Sequence, residues 1–234
     1  GAVPTTSGRW ARRLFYRKTS PSRGCVWEPI PSFSGQFKGN GHTISDLTIT
    51  GQYSPAGLFG IVEEQGSIES LSVRGVVSVS DSADTTTGGI VGVNHGTLIN
   101  CQFTGVVTGD SEVGGIVGRN ESEGTIDHGT ARAIVTGKSS TGGIAGYNLG
   151  AITGCTNVGS INTEYPEASL DTDGFTAKMV DYINNKMAAA DNDATNSVTN
   201  VATDTGGIAG RSSGMILTSV NTGTIGYEHC WLQR

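Results

Sequence analysis

Two short acidic runs and four histidines are the residues of this chain best suited to binding a metal ion. The runs Asp171-Thr-Asp-Gly174 and Asp191-Asn-Asp193 resemble fragments of calcium-binding loops. Neither can be completed, because a calcium loop of about twelve residues needs a bidentate glutamate at its far end. The histidines are scattered among turns: His42, His95, His128 and His229. Since no two have the spacing of zinc ligands on one helical face, we expect neither a metal site nor a cofactor.

The cysteines form two pairs of different character. Cys101 and Cys155 hold the place that Leu71 holds in its own repeat, so we expect them to be buried thiols that pack as small apolar residues. Cys25 and Cys230 are expected at opposite ends of the fold, too far apart to be bridged. The sequence therefore predicts no disulfide and no nucleophilic cysteine.

No phosphate-binding loop or C-x-x-C motif is present. Polysaccharide lysis or glycoside hydrolysis is the alternative function, and it would need paired acids in one outward column of neighbouring repeats. Glu69, Asp110 and Asp127 do not align in one column from the sequence. An ice-binding face would need regular threonine columns, but Thr48 and Thr50 have no evident repeated counterpart. We predict no catalytic residues and no enzymatic activity.

A repeat must position every one of these residues. The stretch Thr87-Gly-Gly-Ile-Val-Gly-Val-Asn-His-Gly-Thr-Leu98 has close copies near Gly114, Gly142 and Gly206, and a looser one near Gly57. The period is roughly 26 to 32 residues, with short strands and no room for a helix. We expect glycines beside each apolar pair to allow sharp corners. These structural repeat glycines are Gly57, Gly60, Gly89, Gly92, Gly115, Gly118, Gly143, Gly146, Gly207 and Gly210.

This period favours an all-β fold, a parallel β-helix (β-solenoid) of about six coils. Coils about 4.8 Å apart would make a rod on the order of 30 Å long, with equivalent side chains stacked in columns. Each buried isoleucine or leucine contributes about 1.5–3 kcal/mol. We therefore expect aliphatic columns, rather than polar networks, to hold the fold together.

Composition agrees with this fold and excludes several functions. Charged residues make up 15% of the chain, while the 36 glycines are typical of tight turns. The net charge of -6 argues against a nucleic-acid surface, which needs an excess of lysine and arginine. The sequence contains no apolar run long enough to span a membrane, and we expect any export signal to lie outside these 234 residues.

The repeats are interrupted at about residues 164–204. Within this insert Phe175, Met179, Ile183 and Met187 recur every four residues, which predicts one amphipathic α-helix from about Asp173 to Ala190. We expect this helix to cover apolar surface on the side of the solenoid. A helix that binds a partner protein is the alternative.

The two ends differ from the solenoid, which we assign to residues 25–228. Residues 1–24 form a basic segment without strand alternation, and residues 229–234 form a truncated end. Permitted codons for Leu14–Arg23, read two bases later, encode the strand-like Phe-Leu-Ser-Lys-Asp-Ile-Thr-Leu-Lys. A similar shift turns the last residues into His-Val-Gly-Tyr-Asn-Val. We predict that the basic segment is disordered or frame-shifted; a basic arm that binds an anionic surface is the alternative.

The units Gly88-Gly-Ile-Val-Gly-Val-Asn-His-Gly-Thr-Leu-Ile-Asn-Cys101 and Gly142-Gly-Ile-Ala-Gly-Tyr-Asn-Leu-Gly-Ala-Ile-Thr-Gly-Cys155 resemble GLUG repeats. The resemblance covers Trp27 to Tyr227 apart from the insert. It implies a right-handed β-helix from a large bacterial protein that is secreted or attached to the cell wall. Such proteins include adhesin-like proteins and the non-catalytic region of IgA-specific metallopeptidases.

The resemblance implies a non-catalytic extracellular module with a structural or adhesive role, and a fragment of a larger surface protein. Its expected partners are a host or cell-surface protein or glycan, together with the rest of the parent polypeptide. We expect no nucleic acid partner and no membrane span.

Overall fold

A computed structural model describes residues 26–79, 85–163 and 203–226. Within these ranges the chain is an all-β parallel solenoid of about five turns, and no helix occurs in them. The basic N-terminal segment, the predicted helix and the C-terminal end lie outside the described residues. Strand β20 begins at Thr203, inside the range that the sequence assigned to the insert.

The strands follow one another in six successive coils. The first coil holds β1 (Ile30–Phe33), β2 (Gln36–Lys38) and β3 (Thr43–Gly51). The second holds β4 (Phe59–Val62), β5 (Ser67–Glu69) and β6 (Ser72–Val79). The third holds β7 (Thr86–Gly88), β8 (Val91–Asn94), β9 (Thr97–Ile99) and β10 (Gln102–Thr108). The fourth holds β11 (Glu112–Gly114), β12 (Val117–Asn120), β13 (Thr125–Asp127) and β14 (Thr130–Thr136). The fifth holds β15 (Ser139–Gly142), β16 (Ala145–Asn148), β17 (Ala151–Thr153), β18 (Thr156–Asn157) and β19 (Ser160–Ile161). The sixth holds β20 (Thr203–Gly206), β21 (Ala209–Ser212), β22 (Met215–Leu217) and β23 (Val220–Asn221).

Equivalent strands of successive coils pair in parallel and form four sheets. Sheet A contains β1, β4, β8, β12, β16 and β21, and sheet B contains β2, β5, β9, β13, β17 and β22. Sheet C contains β3, β6, β10, β14, β18, β19 and β23, and sheet D contains β7, β11, β15 and β20. The sequence predicted about six coils, and the structure has about five turns. Six strands in sheet A are separated by five coil-to-coil steps, which make about five turns. Neither of the first two coils has a strand in sheet D; the second contributes only an isolated bridge from Ala56 to Thr87.

The core consists of columns, each made of equivalent side chains from successive coils. In sheet B, Ile68 pairs with Leu98, which pairs with Ile126, which pairs with Ile152, and all four side chains are buried. The residues on either side of each column member point outward, as strand alternation requires. These columns match the stacking that the repeat predicted.

The corner between sheets B and C uses the left-handed backbone region in coil after coil. Ser70, Asn100 and His128 have φ values of 51°, 53° and 52°, and Gly154 follows with 61°. The corner amide of one coil donates to a carbonyl of the next, as in the 2.9 Å bond from the Asn100 N–H to the Asp127 oxygen. A non-glycine residue is uncommon in this region, so the corners at Ser70, Asn100 and His128 accept some backbone strain to make a sharp turn, whereas Gly154 makes it without a Cβ penalty.

Candidate functional site

The repeat glycines lie where two sheets approach each other closely. A Cβ atom on Gly118 in sheet A would stand 2.6 Å from the Thr87 nitrogen of sheet D and 2.8 Å from the Gly92 oxygen. Gly92 has similar surroundings one coil earlier, where a Cβ would meet the Gly60 oxygen at 2.7 Å and the nitrogen of Ala56, which lies in the place of sheet D, at 2.9 Å. Backbone atoms cannot move aside as a flexible side chain can. The motif glycines therefore allow sheet D to pack directly on the backbone of sheet A.

A ladder of buried asparagines runs through the core beside the aliphatic columns. The Asn94 side-chain amide donates to Asn120 Oδ1 at 2.8 Å, and the Asn120 amide donates to Asn148 Oδ1 at 2.8 Å. The Asn148 amide continues the ladder to Ser212 Oγ at 3.1 Å. All three asparagines are fully buried. The core therefore contains, beside the expected aliphatic columns, a buried polar network that the sequence analysis did not expect.

Each ladder asparagine also bonds to the turn that follows it. The Asn120 amide donates to the Gly124 carbonyl at 3.1 Å, and Asn94 Oδ1 accepts from the Gly96 N–H at 3.2 Å. A second ladder joins the Asn157 amide to Asn221 Oδ1 at 2.7 Å. The first ladder had a signal in the sequence, since an asparagine stands two residues after the motif glycine in three copies of the repeat.

On the outer face of sheet A, a tyrosine lies between two arginines of neighbouring coils. The Arg119 guanidinium lies 5.0 Å from the centre of the Tyr147 ring, and the Arg211 guanidinium lies 5.4 Å from it. Arg119 also pairs with Glu121 at 2.6 Å and with Glu112 at 2.8 Å. Burial alone would lower the pKa of Arg119, but the bonds and charges of the two glutamates raise it.

Cation–π contacts and ion pairs hold these side chains against one another, so the Tyr147 ring is not a platform for a sugar ring. Stacking on Tyr147 would need an open ring face, and the coils on both sides place a guanidinium against it. Sequence reasoning missed the cluster. The signal available was the residue before each ladder position, which is Arg119, Tyr147 and Arg211 in consecutive copies.

The structure corrects the sequence-based alignment of the acids. Glu69 and Asp127 share one outward column of sheet B, with Ile99 between them. Asp127 contacts the ring of His128, with 2.8 Å between Oδ1 and Nδ1. Asp110 lies at another corner, where its carboxylate pairs with Lys138 at 2.6 Å. Two of the three acids therefore share a column, but they lie two coils apart and do not stack directly on each other.

Thr50, taken without Thr48, has hydroxyl-bearing counterparts in the next three coils. It belongs to an outward column of sheet C with Ser78, Thr108 and Thr136. The Thr48 column is instead aliphatic in the next three coils. The Thr48/Thr50 pair therefore has no repeated counterpart, as the sequence indicated, and these two positions do not form the pair of regular threonine columns that an ice-binding face needs.

The two described cysteines are free and fully buried, as the repeat alignment predicted. Burial raises the pKa of Cys101 to about 11 and that of Cys155 to about 11. At neutral pH both side chains are therefore thiols, not thiolates. Cys25, Cys230 and His229 lie outside the described residues, as do both acidic runs of the insert.

His42, His95 and His128 lie in separate turns. Among the residues that the structure describes, no group of three histidines, cysteines or acids is arranged to hold a metal ion. In the same part of the chain, no helix is long and apolar enough to cross a membrane.

Two curated proteins share part of this sequence. Halomucin from Haloquadratum walsbyi is 34% identical over 122 residues, which cover 49% of this chain and 1% of halomucin. A putative Gly-rich membrane protein from Evansella cellulosilytica is 29% identical over 140 residues, which cover 44% of this chain and 16% of that protein. No family model matches the chain, and no solved structure matches it significantly.

The fold and the stacked columns define a β-solenoid repeat protein. It is similar to short stretches of these two much longer proteins. Without a matching family model, the likeness to GLUG repeats stays a prediction.

Proposed function

We propose that this chain is a non-catalytic module of a larger extracellular protein, with a structural or adhesive role at a cell surface. One observation carries the proposal: the same side-chain columns fill the interior of successive coils, so the outer faces and corners are left to meet other molecules. The names of the two relatives, a halomucin and a Gly-rich membrane protein, support a surface location.

The resemblance to GLUG repeats supplies the finer parts of this proposal. It implies a right-handed solenoid, which is also the hand that parallel crossover connections favour. It further implies a bacterial, adhesin-like protein that is secreted or attached to the cell wall. The proposed partners are a host or cell-surface protein or glycan, and the rest of the parent polypeptide.

Polysaccharide lysis or hydrolysis is the second candidate, because Glu69 and Asp127 share an outward column. Two coil spacings place the two positions about 9.6 Å apart along the column. Inverting glycosidases keep their two carboxyl groups about 6.5–9.5 Å apart, so this spacing of the two positions lies just above their range. Ile99 holds the position between the two acids, where an inverting enzyme leaves room for the attacking water.

A glycan array combined with a polysaccharide-degradation assay distinguishes the two functions. We expect saturable binding to one glycan or surface-protein class, with no product released from any polysaccharide. Glu69→Gln and Asp127→Asn should leave that result unchanged. Turnover that either single substitution abolishes would replace the proposal with an enzymatic function. Binding to no glycan or surface protein would contradict the adhesive role.

A further inference from the structure

The outer face of sheet C carries an unusual aliphatic column. Val76 pairs with Val106, which pairs with Ile134, and alternation along the strands points all three side chains away from the core. Elsewhere in the described ranges, outward aliphatic side chains run through two consecutive coils at most, as at Ile61 and Val93 of sheet A. We call Val76, Val106 and Ile134 the sheet C column.

Val106 at the centre of this column is only 3% exposed, although it is not part of the hydrophobic core cluster. Val76 and Ile134 are half-buried. Contiguous outward apolar side chains usually mark a surface that another element covers. The sheet C column therefore has the character of an interface.

We propose that the sheet C column is the docking surface for residues 171–190 of the same chain. The stretch 164–202 connects β19 to β20, so it leaves the solenoid where the fifth-coil strand of sheet C ends. Ser160, in the same strand, is the next member of the sheet C column after Ile134. The departure point thus lies directly beside the proposed surface.

The sequence of this stretch matches the column in apolar pattern and length. The apolar stripe formed by Phe175, Met179, Ile183 and Met187 would face one side of a helix. Eighteen helical residues are about 27 Å long. Six coils span about 24 Å along the solenoid. Residues 191–202, when extended, reach about 40 Å, which is ample for the return to β20.

The charges of the segment and of the neighbouring surface also favour residues 171–190 as the occupant of the sheet C column. Residues 171–190 contain three aspartates and two lysines, and the flanking parts of residues 164–202 add four acids and no lysine. Beside the sheet C column runs the outward column Arg74, Thr104 and Arg132, in which the Arg132 side chain is exposed. An acidic amphipathic segment would bring carboxylates near these guanidinium groups. The surface and the segment are thus complementary in both apolar pattern and sign of charge.

Limited trypsin digestion of the full chain tests the proposal, because trypsin cleaves after Lys178 and Lys186. We expect the double variant Val76→Asp/Ile134→Asp to be cut at these lysines roughly tenfold faster than the wild type, since undocking exposes the segment. The matched control is Ile61→Asp/Val93→Asp, which changes the same residue types at half-buried outward positions of sheet A. The control should be cut at the wild-type rate.

Equal cleavage rates in the wild type and in a folded Val76→Asp/Ile134→Asp variant would overturn the proposal. If that variant does not fold, disulfide trapping decides instead. In a chain carrying Cys25→Ser and Cys230→Ser, Ile134→Cys should cross-link to Met179→Cys or Ile183→Cys, and Val93→Cys should not. Absence of the Ile134 cross-links would contradict docking. A wild-type dimer that becomes monomeric in Val76→Asp/Ile134→Asp would assign the surface to a second copy, and would also overturn the proposal.

Discussion

Replacing Asn120 by aspartate changes one atom at the centre of the asparagine ladder. The Asn120 amide nitrogen donates to Asn148 Oδ1 at 2.8 Å and to the Gly124 carbonyl at 3.1 Å. In Asn120→Asp a carboxylate oxygen would face both of these acceptors. The side chain is fully buried, so water cannot replace the lost donors.

The expected loss is large compared with the stability of an ordinary domain. Two lost hydrogen bonds contribute about 1–1.5 kcal/mol each. A buried charge without a partner adds to this loss, and comparable changes cost about 3–5 kcal/mol in total. Against a typical stability of about 5–15 kcal/mol, the variant should be marginal at pH 8.

The loss of unfolding free energy in Asn120→Asp should depend on pH, and the direction of this dependence identifies the buried carboxylate as its cause. Burial next to two acceptors raises the pKa of the new aspartate above its unfolded value, so the folded state binds the proton more tightly. Stability should then be greatest below the unfolded pKa of about 3.9 and fall as pH rises through the folded pKa. The protonated acid also recovers one donor for the ladder.

Urea unfolding at pH 4 and pH 8, followed by circular dichroism, measures this effect. Asn100→Asp is the matched control, because Asn100 is exposed at a corner and the chemical change is the same. We expect the control to stay within about 0.5 kcal/mol of the wild type at either pH. If Asn120→Asp is as stable as Asn100→Asp at pH 8, the ladder does not contribute as argued.

Three further changes test the core, the sheet junction and the buried thiols. Ile116→Asn places an unpaired amide at a fully buried position and should lower the unfolding free energy by about 3 kcal/mol or more; wild-type unfolding would mean that this column does not lie in the core. Gly118→Ala should cost about 2–4 kcal/mol through its clash with the sheet D backbone, whereas Gly35→Ala, whose Cβ would meet only the Phe33 ring at 3.4 Å, should cost little in the same thermal melts. Cys101 and Cys155 should react with a thiol reagent at pH 8 only after unfolding. Because burial raises the pKa of each thiol from 9.0 to about 11, their contribution to stability should be lost as pH rises between 9 and 11, and Cys→Ala replacement should remove that part of the pH dependence.

The sequence determined the repeat, and the repeat determined the fold class. A glycine-flanked apolar pair that recurs at a nearly constant period can bury its apolar residues only by stacking coil on coil, so the aliphatic columns through Leu98, Ile126 and Ile152 were predictable. The burial of Cys101 followed from the same alignment.

Which side chains stack on the outside was decided by the tertiary structure. The coils differ in length, because insertions at the corners add residues without changing the strand register. Val91 pairs with Phe59, 32 positions earlier, and with Val117, 26 positions later. Counting along the chain therefore failed to place Glu69 and Asp127 in one column.

The asparagine ladder shows most clearly which features follow from the local sequence and which depend on contacts between coils. A polar residue in each repeat looks like an ordinary turn residue in one dimension, since a single buried asparagine cannot satisfy its own amide. Stacking at the spacing of neighbouring strands gives each amide donor the acceptor of the next coil, as between Asn120 and Asn148. Local sequence therefore determined the coil, while contacts between coils decided that a polar residue belongs in its core.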